Sequence, residues 1–538
     1  MDERKAQETI RGAVRDSLAW LDGLPSAENE ILEKTEKEER ILMTAISPAA
    51  RKPGSRRWKP VLAFCAAAVL FAGVWAVFRN GSLFNRINSP DVVSEPAVSE
   101  SVTASPDPES LPAAFADRKT QMPLERIDLY ADPDALWNED NGILAEGKQI
   151  DKSHQLPFRY AVYRMACDNN VSTEGELVFR SESGAVLFRD RIRLQMDGDD
   201  FYAMDMPQKS LRVEALDGAF EYPVFIDRTA ISYPSLVLRN SGADCLFTRV
   251  ADGVQNRLVE KYTDAHLLTL AWQPVHVYLN DEYWGIYNMR EGLDARTVCR
   301  YEQIPEAEAD NVTLLYIAGE AVQGNSQEYK ALRKEMKDRD PASNPEDLEY
   351  LEQEVDIESF LDWLAVEMYF GNSDIGNGMV YRVPGGKWKC LLQDLDYGLF
   401  MSGYESVNGY LKPEGMGQMK VDNTIFRKIL ETDRYRDLFL TKLGDVYKAL
   451  TTEVMQAELD ECVAWIEPGM RAHLERWAPY NDGTVIIEAP SDPEQAWDFW
   501  KKRIDRMKNV MDKRPGCLYE QVQAFFGLTE KEMAHYFR

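Results

Sequence analysis

The stretch KWKCLLQDLDYGLF, residues 387–400, combines a strand-like apolar run with a pair of carboxylates at its end. Asp394 and Asp396 are two residues apart, so in an extended backbone both side chains lie on the same face. Like charges at this spacing repel each other unless a positive group lies between them. Mg²⁺ suits this position, since it takes one or two protein carboxylates together with substrate phosphates. The stretch alone is equally compatible with a solvated turn after a strand.

A second polar loop precedes this stretch, in FGNSDIGNGMVYR, residues 370–382. Asn372, Asp374 and Asn377 are small polar residues near glycines, as in tight loops that carry functional side chains. The two loops are separated by the strand-like runs MVYRV and KWKCLLQ and by the turn PGGK. A β-hairpin of this length brings its two ends together. We therefore predict that the loop at Asp374 and the loop at Asp396 lie side by side and form one site.

The acidic composition limits what the surface can bind. The 538 residues include 62 Lys and Arg against 90 Asp and Glu, a formal charge of −28. Such a surface repels nucleic-acid phosphates, so no nucleic acid is expected as a partner. A local group of basic residues with a metal ion can still bind a nucleotide. The seven cysteines form no C-x-x-C pair, which argues against a zinc site; the six outside residues 60–78 are expected as free thiols or disulfides.

An apolar segment divides the chain. Residues 60–78, PVLAFCAAAVLFAGVWAVF, carry no charge over 19 positions, close to the roughly 20 residues of a helix that crosses a bilayer. Five basic residues lie within 51–59 and two within 79–86, so the positive-inside rule places the N-terminus in the cytoplasm and the main domain outside it. We predict a single transmembrane helix at 59–79 that anchors the chain in the cell membrane. A cleaved signal peptide is the alternative.

The regions on either side of this segment differ in character. Residues 1–58 are predicted to form short amphipathic helices, which could bind a cytoplasmic protein partner or pack on themselves. Residues 80–124 are rich in Ser, Pro and Glu, which is typical of an extended linker. From 125 to 538 strand-length runs such as LPFRYAVYRMAC, EGELVFRS and KSLRVEAL come first, and amphipathic helical segments such as 423–450 follow. This order predicts an α+β domain with a β-rich N-terminal part and a helical C-terminal part.

Five blocks of this domain resemble the CotH family, named for spore coat protein H, whose members have an atypical, minimal protein-kinase-like fold. The blocks are PQKSLRVEA, YPSLVLRNSG, VYLNDEYWGIYNMRE, YFGNSDIGNGMVYR and WKCLLQDLDYG, and the similarity runs from about Arg126 to the C-terminus. The H-R-D, V-A-I-K and G-x-G-x-x-G motifs of ordinary protein kinases are missing from the sequence. The resemblance implies ATP-dependent phosphorylation of Ser-rich coat or envelope proteins, with Mg²⁺ or Mn²⁺ as the metal.

The resemblance also implies roles for the acids of the two loops. Asp374 would be the catalytic-loop aspartate that accepts the proton of the acceptor hydroxyl. Asn377 would be its polar companion, as a catalytic or metal-binding residue. Asp396, in D-Y-G, would be the metal-binding aspartate, and Asp394 a second metal ligand or a supporting acid. Together these four residues predict a phosphoryl-transfer site.

Three further residues are candidates for binding the nucleotide. Lys209 in PQKSL is the candidate for phosphate contact and Glu291 in NMREG for the acid that orients it, although both residue types are common at surfaces. Arg239 in LVLRNSG follows a strand, and its guanidinium matches a phosphate bidentately; an arginine that binds loop carbonyls is the alternative. The segment LQMDGDDFYAMDM before Lys209 is acidic where family members often carry a basic residue. Its carboxylates oppose phosphate binding.

Other functions that use a D-x-D motif lack their supporting residues. Phosphatases of the haloacid dehalogenase type need a later lysine and a second acidic pair, and metal-dependent glycosyltransferases need a nucleotide-sugar fold; neither is evident in the sequence. A catalytically inactive assembly or surface-interaction protein with a kinase-like fold is the main alternative, since fold alone does not give function and ATP is scarce outside the cytoplasm. A kinase should bind ATP only with a divalent metal and require Asp396, whereas an assembly protein should be indifferent to both.

Overall fold

The structure is a computed structural model that describes residues 118–138, 142–144, 171–198, 206–417, 420–481 and 489–538. The predicted transmembrane helix at 59–79, the predicted helices of 1–58, the linker up to residue 117 and the strand-like run at 156–167 lie outside these residues. Within the described residues, no helix combines the length and the apolar character that a membrane crossing needs. The membrane anchor at 59–79 therefore stays a prediction.

A closed barrel of seven strands forms the N-terminal part. Its strands are β1 (Glu125–Ala131), β2 (Ser172–Arg180), β3 (Val186–Met196), β4 (Leu211–Ala215) and β5 (Ser235–Arg239), with β7 (Trp272–Leu279) and β8 (Glu282–Glu291); β6 (Leu268–Thr269) belongs to a second sheet. The order around the barrel is β1-β2-β3-β4-β5-β8-β7, and β7 closes it by pairing parallel to β1. Along β3, Ile192 and Leu194 are buried while Arg191 and Arg193 are exposed. The period-two pattern thus fills the barrel with apolar side chains.

The second sheet carries the predicted hairpin. Its other strands are β9 (Thr313–Tyr316), β10 (Ala321–Gln323), β11 (Met379–Arg382) and β12 (Lys389–Leu392), and its order is β10-β9-β11-β12-β6. Strands β11 and β12 are antiparallel, with Met379 opposite Leu391 and Tyr381 opposite Lys389. The hairpin is therefore confirmed, and the chain enters β11 and leaves β12 at the same end of the sheet.

The C-terminal part is mainly helical. The helices are α1 (Pro133–Trp137), α2 (Ala251–Tyr262), α3 (Ala295–Tyr301), α4 (Gln327–Asp338), α5 (Pro345–Glu354), α6 (Ile357–Phe370), α7 (Ser406–Leu411), α8 (Thr424–Glu431), α9 (Asp433–Ala449), α10 (Thr452–Trp477), α11 (Pro493–Phe526) and α12 (Glu530–Phe537). The helical segment predicted at 423–450 is two helices, since α8 ends at Glu431 and α9 begins at Asp433. A β-rich part followed by a helical part confirms the α+β class.

Helix α6 is the centre of the helical part. Every residue of α6 except Glu358 is buried, as expected for a helix that packs on all sides. It begins after Asp356, whose side chain accepts from the main-chain N–H of Ser359, and it ends at Gly371. Gly371 has φ +64, the left-handed conformation that often ends helices and favours glycine. The sharp stop releases the chain into the polar loop that contains Asp374.

The cysteines of the described residues are free thiols. Cys245, Cys299, Cys390 and Cys462 are buried, and Cys517 is half-buried. Of the two outcomes expected from the sequence, the structure shows the free thiol for these five. Cys167 lies outside the described residues.

Candidate functional site

The two carboxylates of the D-L-D motif meet one guanidinium group. The Arg239 Nη2 donates to Asp396 Oδ2 at 2.9 Å and also to Asp394 Oδ1. The backbone between the two acids is not extended as predicted, because β12 ends at Leu392 and Asp394 has φ +58. The turn nevertheless directs both carboxylates to the same side. The positive group that the pair requires is Arg239, at the end of β5.

A tight turn after β5 brings one main-chain N–H group to Asp396. Ser241 and Gly242 have φ +89 and +57, and the chain then forms a short 3₁₀ turn over Gly242–Asp244. The N–H of Ala243 donates to Asp396 Oδ2 at 2.8 Å. A Cβ at position 242 would overlap the side chains of Asp396 and Arg239. Glycine at 242 is therefore required both by the left-handed backbone and by the closeness of the ion pair.

The loop after α6 lies beside the D-L-D loop, as predicted. The side-chain amide of Asn377 donates to Asp374 Oδ2 at 3.0 Å and to Asp394 Oδ2 at 2.7 Å. One amide thus connects a carboxylate from each loop. Of the predicted site residues, Asp374, Asn377, Asp394 and Asp396 are brought together, and Arg239 joins them.

Two residues of the site were not predicted. Asp252, near the start of α2, lies with Oδ2 3.5 Å from Arg239 Nη1, forms an ion pair with Arg290, and accepts from the N–H of Leu395 at 3.0 Å. Arg290, in β8, is buried, as is Asp252. Neighbouring residues of a strand point to opposite faces, so the alternation along β8 could have indicated Arg290 in place of Glu291. No sequence signal indicates Asp252, because its position depends on how α2 packs.

The predicted pairing of Lys209 with Glu291 is wrong. The Glu291 carboxylate pairs with Arg300, accepts from the N–H of Ala271 at 3.0 Å, and lies 3.7 Å from Arg228 Nε. No ion pair joins Glu291 to Lys209, and both positions are among those that the structure describes. Lys209 lies just before β4, where its carbonyl accepts from the Tyr287 hydroxyl at 2.8 Å. Glu291 points away from Arg290 and therefore belongs to a separate ion cluster.

Among the described residues, the site carries more negative than positive charge. There the ion pairs and hydrogen bonds join four carboxylates, of Asp252, Asp374, Asp394 and Asp396, to two guanidinium groups, of Arg239 and Arg290. Burial raises the pKa of Asp396 above its usual range, and the charge of Asp394 adds to this; Arg239 and the Ala243 N–H act in the opposite direction. Burial lowers the pKa of Arg290 to about 9, and the charge of Arg239 contributes. Additional positive charge would therefore stabilise the site.

The donor atoms of the D-L-D pair suit a divalent cation that takes its remaining ligands from outside the protein. No group of three or more His, Cys, Asp or Glu side chains in the described part of the chain is arranged to hold a metal ion. Asp394 and Asp396 offer carboxylate oxygens, with the Asn377 amide beside them. Mg²⁺ binds in this way, through one or two carboxylates completed by substrate phosphates and water, whereas an all-protein cage needs more ligands.

The chain is similar to one family of known proteins over its main body. A family model described as CotH kinase protein matches residues 194–518. The match covers more than half of the chain and includes every residue of the site. The comparison with curated proteins found no match.

Proposed function

Since the chain belongs to the CotH kinase protein family, we propose that it is a metal-dependent protein kinase that transfers the terminal phosphoryl group of ATP to Ser or Thr side chains of Ser-rich proteins. The observation that carries the proposal is the Asn377 amide, which joins Asp374 to Asp394. It places an acid able to receive the proton of an acceptor hydroxyl beside an acid pair able to hold a metal. Kinases need this combination, because their catalysis consists mainly of positioning and charge stabilisation.

The acids of the two loops have different proposed roles, which follow from their surroundings. Asp374 is half-buried in a loop, where its carboxylate can accept the proton of the attacking hydroxyl. Asp394 and Asp396 would hold Mg²⁺ or Mn²⁺, which when bound with ATP neutralises charge on the phosphates. Asn377 fixes the orientation of Asp374 relative to Asp394. Each predicted catalytic or metal-binding residue thus has a role that its contacts support.

Arg239 is our candidate for charge stabilisation at the phosphates. Its guanidinium lies beside the acid pair, and Asp252 on α2 approaches its other nitrogen. In protein kinases a glutamate on a helix orients the phosphate-binding lysine. Asp252 and Arg239 resemble this arrangement with an arginine, and Asp252 thereby takes the role that the sequence predicts for Glu291. Lys209 remains a second candidate for phosphate contact.

Phosphoryl transfer by the full-length chain tests the proposed activity. With labelled ATP and Mg²⁺ or Mn²⁺, we expect label on the chain itself or on a Ser-rich acceptor peptide, and none after chelation of the metal. ATP with metal should also raise the melting temperature, because ligands that bind only the folded state stabilise it. Absence of both labelling and stabilisation with either metal would contradict the kinase proposal. It would leave the catalytically inactive assembly protein as the better account.

We further propose that the kinase domain is tethered to the membrane by a transmembrane helix at 59–79, with residues 1–58 in the cytoplasm and available to a protein partner. The uncharged segment and the basic residues before it support this proposal. After expression in bacteria, the full-length chain should stay in the membrane fraction through alkaline carbonate washing. A variant that lacks residues 60–78 should be released. Release of both proteins would contradict the anchor, and protease digestion of the intact membrane from outside should cut only the main domain.

A further inference from the structure

We propose that Asn372 is the positioning residue of this site, which sets the spacing between the loop of Asp374 and the loop of Asp394. The inference rests on the proposed function, because the two loops supply the two halves of the phosphoryl-transfer site. Asn372 was expected only as one small polar residue of a tight loop. Its contacts give it a more specific task.

Asn372 connects the main chains of the two loops. Its Oδ1 accepts from the N–H of Asp374 at 3.1 Å, and its Nδ2 donates to the carbonyl of Asp394 at 3.3 Å. The residue is 2% exposed, so neither bond competes with solvent. Asn377 connects the side chains of Asp374 and Asp394, and Asn372 connects their backbones. Without the Asn372 side chain, Asp374 and Asp394 would still be present, but this side chain would no longer hold their main chains at a fixed distance.

The two hydrogen bonds restrict which residue type can stand at position 372, because they need one acceptor and one donor in the same side chain. A primary amide offers one acceptor and one N–H₂ donor group on the same planar group. An aspartate would lack the donor and would add a charge beside Asp374 and Asp394. A serine is too short to reach both loops, and a glutamine is longer by one methylene in a buried space. Asparagine is the one standard residue that meets both requirements at this length.

Two buried residues, Glu367 and Tyr410, form hydrogen bonds with the main chain of Asn372. The hydroxyl of Tyr410, on α7, lies 3.0 Å from Glu367 Oε2 and 3.1 Å from the carbonyl of Asn372. The main-chain N–H of Asn372 donates to the carbonyl of Glu367 at 3.2 Å. Glu367 is 1% exposed and Tyr410 is fully buried. Burial raises the pKa of Glu367 to about 8, against the effect of hydrogen bonds from Tyr410 and Asn372. Glutamine keeps the shape of Glu367 and an oxygen that can accept from the Tyr410 hydroxyl, so it is the close substitute.

Asn372→Ala in the full-length chain tests the inference with kinetics and with hydrogen exchange. We expect kcat to fall about a hundredfold while KM for ATP changes less than about twofold, since misplacement of reacting groups slows the chemical step. Amide exchange in the segment 371–378 should quicken about tenfold, because the Asp374 N–H loses its acceptor. Asn408→Ala, at an exposed position of α7, is the matched control and should leave both readouts unchanged.

Two further variants separate positioning from general stability. Tyr410→Phe keeps the ring but removes the hydroxyl, so it should lower kcat about tenfold with little change in KM. Glu367→Gln should be close to the parent, because the amide oxygen still accepts from Tyr410, whereas Glu367→Leu should match or exceed the loss in Tyr410→Phe. Near-parental kcat in both Asn372→Ala and Tyr410→Phe would overturn the inference. Equal losses in Glu367→Gln and Glu367→Leu would also overturn it, since shape and hydrogen bonding would then not matter.

Hydrogen exchange at 371–378 tests the positioning role of Asn372 independently of whether the chain has kinase activity. If the parent chain transfers no phosphate, faster exchange in Asn372→Ala with Asn408→Ala unchanged still supports the positioning role, and the activity alone is contradicted. If the parent chain is active and Asn372→Ala exchanges and reacts as the parent does, the positioning role alone is overturned. Slower turnover with unchanged exchange at 371–378 would likewise overturn it, because the loop would then not depend on this side chain.

Discussion

Asp396→Asn is expected to lower metal-dependent phosphoryl transfer about a thousandfold, the scale on which the loss of one charge-stabilising group slows a reaction. Asp396 is the acid of the pair that is most deeply buried, and it accepts from both Arg239 and the N–H of Ala243. Asparagine keeps an oxygen for the Ala243 N–H but removes the charge that would bind the metal. The substitution should therefore cause this loss of activity without unfolding the protein.

The measurement is the rate of label transfer from ATP, together with the melting temperature with and without Mn²⁺. We expect the melting temperature without metal to stay near that of the parent, because one buried negative charge is removed from a site with an excess of them. The rise produced by Mn²⁺ with ATP should disappear. Asp512→Asn, at an exposed position of α11, is the control and should behave as the parent. Parental activity in Asp396→Asn would mean that the D-L-D motif does not hold the metal.

Arg514→Met is expected to lower the free energy of unfolding by about 4 kcal/mol, as for the loss of other buried charged groups with several partners. Arg514 is fully buried in α11, and all five of its N–H groups find acceptors. The acceptors are the carbonyls of Met368, Tyr369, Ser402 and Tyr404 and the hydroxyl of Ser406. Burial lowers the pKa of Arg514 to about 10, so the side chain stays charged at neutral pH. Methionine would fill the volume but leave these acceptors unsatisfied.

The midpoint of urea unfolding gives the measurement. Arg514→Lys should lose less than Arg514→Met, since a lysine still carries three donors but not the planar arrangement of five. Lys513→Met, at the neighbouring exposed position, should shift the midpoint little and controls for the loss of a positive charge from α11. Equal midpoints for Arg514→Met and Lys513→Met would show that the carbonyls find other donors. In that case α11 does not hold the end of α6.

The sequence predicts those parts of the fold in which the contacting residues are close together in the chain. The hairpin of β11 and β12 needs only one turn, and the apolar alternation fixes which faces are buried, so both follow from local patterns. Closure of the barrel does not, because β1 pairs with β7 through residues such as Glu125 and Val275, far apart in the sequence. The break between α8 and α9 at Thr432 is also not predicted, since the apolar periodicity continues through it.

The same distinction holds within the site. Asp374, Asn377, Asp394 and Asp396 come from one short stretch of the chain, and a hairpin suffices to bring them together. Arg239 was predicted as a phosphate ligand, but its contact with both carboxylates required the packing of β5 against the D-L-D loop.

Asp252 and Arg290 lie on separate elements, and no local pattern connects them with the motif. The lysine–glutamate pair of kinases suggests an acid in β8, and Glu291 is the acid that the sequence offers there. The alternation along β8 indicates the neighbouring residue.

The position of Arg514 near the end of the chain has a consequence for the timing of biosynthesis. The ribosome makes the chain from its N-terminus, and domains fold as their residues emerge. The barrel, α6 and both acidic loops are all synthesised before Arg514, yet the end of α6 and the segment 402–406 acquire their shared donor only when α11 appears. The packing between the end of α6 and the segment 402–406 is therefore completed among the last steps of synthesis. A nascent chain that has not reached α11 already carries every acid of the site but not the guanidinium that binds the end of α6.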